Sequence, residues 1–214
     1  MPTLLQLDCS ADPTASRSRE LTRVFADAWR RRGDGYVVRH RDLHADPLPH
    51  LESSALHWPV SDPGALGLDP EAVARQQQVI QELLAADVLL IGLPLYNYSL
   101  PSTLKAWLDR VHVPGVLAPT GAAPTQPLRG RPVVVATTRG GAYDPGTPTA
   151  DWDHATPVLR IVLGEALGMD VHVVSASLTL AERVPEMAEH RERSRTEMGA
   201  ARSELERLAG SLDV

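Results

Sequence analysis

Three short segments of the sequence carry groups suited to a phosphate or to a flat aromatic ligand. The first, residues 10–18 (SADPTASRS), joins a short apolar run to a helical pattern. Free backbone N–H groups at the start of a helix can hold an anion, and hydroxyl groups nearby add further donors. A serine at this place also serves as an ordinary N-cap of the helix. The segment therefore predicts either a phosphate site or a capped helix start. Its candidate residues are Ser10, Ser16, Arg17 and Ser18.

The second segment, residues 94–98 (PLYNY), follows the longest apolar run of the chain. Proline at its first position, 94, and again at position 101 restricts the backbone. A planar ligand can stack on tyrosine rings while Asn97 and backbone groups bond its edge. In the alternative interpretation, the tyrosines only cover the core and leave their hydroxyl groups in water. The candidate residues are Pro94, Leu95, Tyr96, Asn97 and Tyr98.

The third segment, residues 138–143 (TRGGAY), contains two adjacent glycines. Adjacent glycines let the backbone approach a ligand closely, and consecutive N–H groups can form an anion-binding concavity. Gly-Gly is also common in ordinary turns. The candidate residues are Thr138, Arg139, Gly140, Gly141 and Tyr143.

Apolar runs and helical periodicities alternate along the chain, which predicts the framework that positions these segments. Strands are expected at residues 3–9, 36–42, 87–93, 133–138 and 170–176. Helices are expected at residues 16–32, from 70, from 101, at 153–168 and at 185–212. This order predicts a single α/β domain over residues 1–214, with a doubly wound, five-stranded parallel sheet and helices on both faces. The three segments follow strands one, three and four, so we expect them at one edge of the sheet.

Composition excludes several classes of function. The net charge of −6 argues against a nucleic-acid partner. No apolar run approaches the roughly 20 residues of a membrane span, and the N-terminus does not resemble a signal peptide. A single cysteine, Cys9, cannot form an internal disulfide, and His40 and His44 lack a third ligand at metal-site spacing. We therefore expect a cytoplasmic protein without a metal site.

Motifs in the same segments resemble the family of FMN-dependent NADH azoreductases and quinone oxidoreductases, which has a flavodoxin-like fold. The similarity runs from the S-x5-S-x-S turn at residues 10–18 through P-x-Y-N-[FY] at 94–98 and L-K-x-[WY]-[FL]-D at 104–109. It continues through [ST]-R-G-G at 138–141 to a P-Y-L-R-like segment at 157–168. Val158 and Glu165 stand where that family usually has Tyr and Phe, and Tyr143 where it often has His.

The resemblance implies roles for the three segments. The first segment would hold the FMN phosphate, with Arg17 contributing either its side chain or only its amide. Residues 95–98 would line the isoalloxazine ring, and residues 138–141 would face its N1 and O2 side, where negative charge develops on reduction. NADH or NADPH would reduce the flavin, and a quinone, azo compound or related small aromatic acceptor would reoxidise it in a ping-pong reaction. Tyr143 or a water would supply a proton.

The resemblance also implies a homodimer with an active site at the interface. Two long loops, at residues 43–70 and 114–132, hold ten of the 18 prolines. Loops of this length inside a compact domain are usually functional or disordered. Trp58 in the first loop and residues 114–131 of the second are candidates for a substrate lid.

Three other functions remain open at this point. A flavodoxin-like electron carrier or a non-catalytic FMN-binding relative would use the same fold. A low-molecular-weight tyrosine phosphatase would use Cys9 as nucleophile and an Asp144-Pro145 acid loop. However, that mechanism needs an arginine at the position of Ala15, and Arg17 falls two residues late.

Overall fold

A computed structural model of the chain describes residues 1–58, 66–121 and 125–213. Within these ranges, five parallel strands form one sheet in the order β2-β1-β3-β4-β5. The strands are β1 (Thr3–Asp8), β2 (Val37–Asp42), β3 (Val88–Pro94), β4 (Pro132–Thr138) and β5 (Asp170–Ala176). The order reverses between β1 and β3, and in doubly wound sheets this switch point opens a crevice beyond the carboxyl ends of the strands. The predicted α/β sheet is confirmed.

In the part of the chain that the structure describes, five α-helices connect or follow the strands. They are α1 (Arg17–Arg30), α2 (Pro70–Leu84), α3 (Ser102–Val111), α4 (Ala155–Leu159) and α5 (Arg191–Ser211). Helix α2 begins as its sequence predicts, because the Asp69 carboxylate accepts a hydrogen bond from the Glu71 N–H and Pro70 occupies the first turn. No helix within the described ranges is long and apolar enough to cross a membrane.

Side chains alternate between two apolar layers because successive strand residues point to opposite faces of a sheet. Leu5, Leu7 and their neighbours pack against α2, α3 and α4 on one face. Leu4, Leu90 and their neighbours pack against α1 and α5 on the other face. Helices therefore cover both faces, which explains why β3 is buried at every residue.

Two predicted helices differ from the structure. The helix expected at 153–168 is a five-residue α4 followed by a π-helical segment, Arg160–Ala166. The wider turn fits Gly164 against β5, where an added Cβ would lie 3.3 Å from Val171 Cγ2. The helix expected at 185–212 begins instead with a 3-10 turn, Pro185–His190, before α5.

The first long loop packs against α3 over its described residues. Leu43, Leu48 and Leu56 are buried, and Leu56 lies in a 3-10 turn, Ser54–His57. Arg110 of α3 is completely buried and donates through Nη2 to the carbonyl oxygens of Pro49 and His50 and to Glu52 Oε2. This guanidinium therefore holds the loop against the end of α3.

Candidate active site

Four loops meet at the carboxyl edge of the sheet, and the first contributes free donors at the start of α1. The N–H groups of Ser16, Arg17 and Ser18 have no hydrogen-bond partner in the described ranges. Ser16 is the N-cap: its Oγ accepts from the Arg19 N–H and lies 3.1 Å from Ser18 Oγ. The N-cap interpretation is thus seen directly, and the capping serine also lies beside three unpaired N–H groups at the positive end of a helix, where a phosphate could bind.

The charges beside this helix start are largely paired. Arg17 Nη1 donates to Glu20 Oε2 at 3.0 Å, so this ion pair directs part of the guanidinium toward Glu20, and the Arg17 amide also has no partner among the described residues. Hydrogen bonds from the Ala15 and Thr14 N–H groups lower the pKa of Asp12 to about 2. Arg183 adds a further hydrogen bond to this carboxylate at 3.4 Å.

Ser10 links the first loop to the second. Its side chain is buried, and its Oγ lies 3.2 Å from the Tyr96 hydroxyl oxygen, which also accepts from the Ala11 N–H at 3.0 Å. Arg19 Nη2 donates to the Ser10 carbonyl oxygen at 2.7 Å. These contacts fix the β1 and β3 loops to each other across the switch point of the sheet.

A polar cluster below these loops holds α1 against β1 and β2. The buried Asp8 carboxylate accepts from Thr22 Oγ1 at 2.8 Å and lies 2.9 Å from His40 Nε2. Arg19 makes a bidentate pair with Asp42 at 2.6 and 2.8 Å. His40 is half-exposed, and its ring contacts the Asp8 carboxylate. The cluster positions the helix start from which the unpaired N–H groups project.

The second loop contains a strained turn. Ser99 N–H donates to the Tyr96 carbonyl oxygen at 2.9 Å, and the two residues between them have φ of 45° at Asn97 and 68° at Tyr98. Positive φ at both central positions is typical of a type I′ turn, where glycine usually occupies the second place. Such strain is concentrated at functional sites. The turn presents the half-exposed rings of Tyr96 and Tyr98 at the sheet edge.

In the third loop, the carbonyl oxygens of the two glycines are hydrogen-bonded, whereas their N–H groups are not bonded within the described ranges. The carbonyl oxygens of Gly140 and Gly141 accept from Leu180 and Leu178, so they face the loop that follows β5. The N–H groups of both glycines have no hydrogen-bond partner among the described residues. At Gly140 an added Cβ would lie 2.7 Å from Leu180 Cδ1, whereas at Gly141 it would meet only Tyr143 Cε2 at 3.9 Å. Two consecutive unpaired donors of this kind can bind an anion.

Arg139 and Tyr143 lie side by side in this loop. The guanidinium carbon of Arg139 is 5.8 Å from the centre of the Tyr143 ring, within the range of a cation–π contact. Burial raises the pKa of the Tyr143 phenol, nearby Tyr98 and Asp153 raise it further, and Arg139 opposes them. The phenol is therefore protonated at neutral pH and can act as a proton donor.

The structure brings to this site residues that the sequence pattern did not select. The loop after β5 (residues 177–184, the β5 loop) contacts the first and third loops. Thr179 donates to the Arg139 carbonyl oxygen, and Arg183 donates to the Ala15 carbonyl oxygen. Trp152 contacts the ring of Tyr98, and Asp153 pairs with Arg139. Trp152 was detectable, because it is one of only four tryptophans and directly precedes a predicted helix. The β5 loop offered no comparable local signal.

Cys9 and Asp144 are not arranged for phosphatase chemistry. Burial, followed by the charge of Asp8, strongly raises the pKa of the Cys9 thiol, so the nucleophilic thiolate is disfavoured. Both carboxylate oxygens of Asp144 accept from Arg193 Nη2 at 2.7 Å. Neither residue is available for the role that a tyrosine phosphatase would require.

Trp58, the candidate lid residue of the first long loop, lies away from this edge within the chain. The His57 ring packs against Trp58 at 5.6 Å and stacks on His112 at 5.8 Å, and His112 caps the C-terminus of α3. Tyr98 precedes the other end of this ten-residue helix, which is about 15 Å long. In the second loop, Leu117 and Leu128 are buried, and residues 122–124 lie outside the described ranges. Trp58 is thus far from the Tyr98 of its own chain.

Comparisons with known proteins agree with this architecture. The family described as having a flavodoxin-like fold matches residues 2–200. A protein of Kineococcus radiotolerans named FMN-dependent NADH:quinone oxidoreductase is 56% identical over 214 residues, covering 99% of this chain and 100% of that protein. A protein of Streptomyces coelicolor with the same name is 41% identical, covering 97% of each chain.

Solved structures show the same fold. An azoreductase from Bacillus anthracis superposes with a TM-score of 0.80 at 20% identity, covering 99% of this chain and 100% of that one. A second B. anthracis structure, described as an FMN-dependent NADH-azoreductase in complex with FMN, gives a TM-score of 0.78 at 22% identity, covering 98% of this chain and 100% of that one. The chain belongs to the flavodoxin-like family that includes the FMN-dependent NADH:quinone oxidoreductases, which confirms the resemblance found in its sequence.

Proposed function

We propose that residues 1–214 form one FMN-binding domain that uses NADH or NADPH to reduce quinones, azo compounds or related aromatic acceptors. The observation that carries the proposal is the pair of unpaired donor sets at one sheet edge. One set is the Ser16–Ser18 N–H groups at the start of α1, and the other is the Gly140 and Gly141 N–H groups. The exposed tyrosine turn lies on the neighbouring β3 loop. The name shared by relatives 56% and 41% identical supports the same activity.

The donor chemistry of the site fits FMN. A phosphate needs several converging donors, and the start of α1 offers three N–H groups beside the hydroxyl groups of Ser16 and Ser18. The flavin ring needs an aromatic surface and fixed donors near its pyrimidine, which Tyr96, Tyr98 and the two glycines can supply. Bound there, FMN supplies hydride transfer between the nicotinamide and the acceptor, two electrons at a time.

The protein itself aligns the reactants and stabilises charge. The Gly140 and Gly141 N–H groups are fixed because their carbonyl oxygens are bound to the β5 loop, so they can stabilise negative charge without reorganising. The Tyr143 phenol stays protonated and can donate to a reduced acceptor. No nucleophilic side chain is required.

Anaerobic reduction tests this function. The purified protein reconstituted with FMN should be bleached by NADH and recover its flavin spectrum when a quinone is added. Steady-state rates at varied NADH and quinone concentrations should give the parallel reciprocal lines of a ping-pong reaction. An electron carrier would bind FMN but would not turn over NADH with a quinone. Protein that never acquires a flavin spectrum would refute the proposal.

We further propose that the enzyme is a homodimer in which Trp58 reaches the site of the other protomer. Trp58 is 58% exposed, and with Leu56, Ile80, Val113 and Val116 it lines a largely apolar cavity of about 250 Å³. This exposed apolar surface supports coverage by a second copy. The use of NADH and the presence of a single cysteine support a cytoplasmic location.

Mixing Trp58→Ala with Ser16→Asp tests the shared site, at an FMN concentration that loads the wild type but leaves Ser16→Asp largely empty. Trp58→Ala removes the lid contribution, and Ser16→Asp places a negative charge at the phosphate position. If Trp58 acts on the partner, each mixed dimer keeps one complete site. Mixing equal amounts after dissociation should then restore about a quarter of the wild-type activity. No recovery, or a protein that sediments as a monomer, would contradict the shared site.

A further inference from the structure

An exposed aromatic pair lies at the carboxyl edge of the sheet. The rings of Tyr98 and Trp152 meet edge to face, with centroids 5.1 Å apart and planes at 85°. Tyr98 is 47% exposed and Trp152 is 44% exposed. Two half-exposed rings at a right angle form an apolar corner, and the open face of either ring can stack on a flat molecule.

Apart from Trp58 and Tyr96, the other large aromatic side chains in the described ranges are buried or packed against a neighbouring ring or guanidinium. Phe25, Trp29 and Trp107 are fully buried, and Tyr36 packs against Trp29. Leaving a large apolar ring in water forgoes the stabilisation that burial would give. A half-exposed Trp152 next to the strained turn therefore suggests a ligand that covers it.

Trp152 is fixed on both sides by hydrogen bonds to the site. Its own N–H donates to the Thr149 carbonyl oxygen at 3.0 Å. The following residue, Asp153, pairs with Arg139, and the His154 N–H donates to the Tyr98 carbonyl oxygen at 2.9 Å. The backbone that carries the indole is therefore tied to both the tyrosine turn and the loop that carries Gly140 and Gly141, and the indole itself contacts the Tyr98 ring. A pre-positioned ring loses little entropy when a ligand stacks on it.

The indole also carries a free polar group. Trp152 Nε1 has no hydrogen-bond partner within the described ranges, so this N–H can donate to an oxygen of a bound molecule. Quinones present a carbonyl oxygen at the edge of a flat ring system, which matches a ring face beside one donor. A single-ring quinone offers less stacking area than one with two or three fused rings.

We propose that Trp152, together with Tyr98, forms a stacking wall that favours acceptors with fused aromatic rings over single-ring acceptors. This inference rests on the proposed function. Trp152 acts here as a specificity-determining residue for the acceptor and takes no part in holding the phosphate.

Two kinds of measurement test this role in the FMN-loaded enzyme. For Trp152→Ala, the KM for 2-methyl-1,4-naphthoquinone should rise about five- to tenfold, whereas kcat and the KM for 1,4-benzoquinone should stay within about twofold. Trp152→Phe keeps a stacking ring but loses the Nε1 donor, so its KM for the naphthoquinone should lie between those of the wild type and Trp152→Ala. Isothermal titration with anthraquinone-2-sulfonate, without NADH, should show the same order of affinities, with a five- to tenfold loss only in the alanine variant.

Ile161→Ala is the matched control, because Ile161 is an exposed apolar side chain on the following π-helical segment. It should leave both KM values and the titration unchanged. Equal losses for one-ring and fused-ring quinones, or failure of Trp152→Phe to restore part of the binding, would overturn the proposal. If the wild type binds anthraquinone-2-sulfonate through Trp152 but does not turn over NADH, the proposed function fails while the stacking wall stands.

Discussion

Arg139 donates through Nη2 to Asp153 Oδ2 at 2.6 Å, and this ion pair joins the loop after β4 to the start of α4. The Asp153 carboxylate also accepts from the Ala155 and Thr156 N–H groups, so one side chain caps the helix and anchors the arginine. Burial alone would raise the pKa of Asp153, but the Thr156 hydrogen bonds and the charge of Arg139 together lower it. The pair fixes the strand end from which Gly140 and Gly141 present their N–H groups.

Replacing Asp153 should destabilise the fold in two measurable steps. Asp153→Asn keeps an oxygen for the helix cap but loses the charged hydrogen bond to Arg139, which should cost about 1.5–3 kcal/mol in free energy of unfolding. Asp153→Ala also removes the cap and should cost about 1 kcal/mol more. Urea denaturation at fixed protein concentration measures both. The neighbouring Asp151→Asn should change little, and equal effects of all three changes would contradict the assignment.

Ser16→Asp should separate helix capping from phosphate binding. Aspartate is as good an N-cap as serine, so the melting temperature should stay within a few degrees of wild type. A carboxylate beside the unpaired N–H groups repels a phosphate, and FMN affinity should fall at least about tenfold. Fluorescence titration of the flavin gives this affinity.

Riboflavin and a distant serine serve as controls for that change. Riboflavin has no phosphate, so its affinity should be nearly the same in Ser16→Asp and in the wild type. Ser53→Asp changes the N-cap of the 3-10 turn at Ser54–His57 and should leave FMN binding intact. A parallel loss of riboflavin binding would place the effect on the fold rather than on the phosphate.

Two glycines should respond to alanine in opposite directions. At Gly92 of β3, an added Cβ would lie 2.7 Å from Asp8 Oδ1 and 2.8 Å from Thr22 Cγ2, inside the polar cluster. Gly92→Ala should therefore lower the free energy of unfolding by about 1–3 kcal/mol. At Gly199 within α5, a Cβ would meet no atom within 4 Å, and Gly199→Ala should raise stability by about 1 kcal/mol. Chemical denaturation compares the two.

Stability should depend on pH through His40. The hydrogen bond to Asp8 raises the pKa of the His40 imidazole; burial and Arg19 oppose this, and the charges of Asp8 and Asp42 reinforce it. Protonated His40 stabilises the fold, so its contribution is complete below the unfolded pKa of about 6.5 and is lost as pH rises through the higher folded pKa. His40→Gln should flatten the fall in melting temperature above about pH 6.5. His44→Gln should leave that fall unchanged.

Most of the fold could be predicted because its signals are local. Continuous apolar runs predicted β3 and β4. The Asp69-Pro70 pair predicted the first residue of α2 correctly. The π-helical segment could not be predicted in this way, since it depends on how closely Gly164 approaches Val171 of β5. A helical period in the sequence does not report the packing distance to another element.

The candidate site was predictable only in part, for a related reason. The Ser10–Ser18 turn and the glycine pair carry their chemistry in adjacent residues. The contact between Arg183 and the Ala15 carbonyl oxygen joins positions 168 residues apart, and no local pattern indicates it. The pairing of Arg139 with Asp153 likewise became visible only when the loops were placed side by side.

The strained backbone at Tyr98 lowers the stability of the fold, so a residue that relieves this strain should raise the melting temperature. With φ of 68°, Tyr98 occupies a conformation that glycine adopts without strain. Selection for heat resistance alone should therefore repeatedly recover Tyr98→Gly, in variants that outlast the parent on heating but discriminate poorly among acceptors. Directed evolution that selects only for survival at high temperature should therefore replace Tyr98 early. Selection that alternates heating with quinone turnover should retain Tyr98.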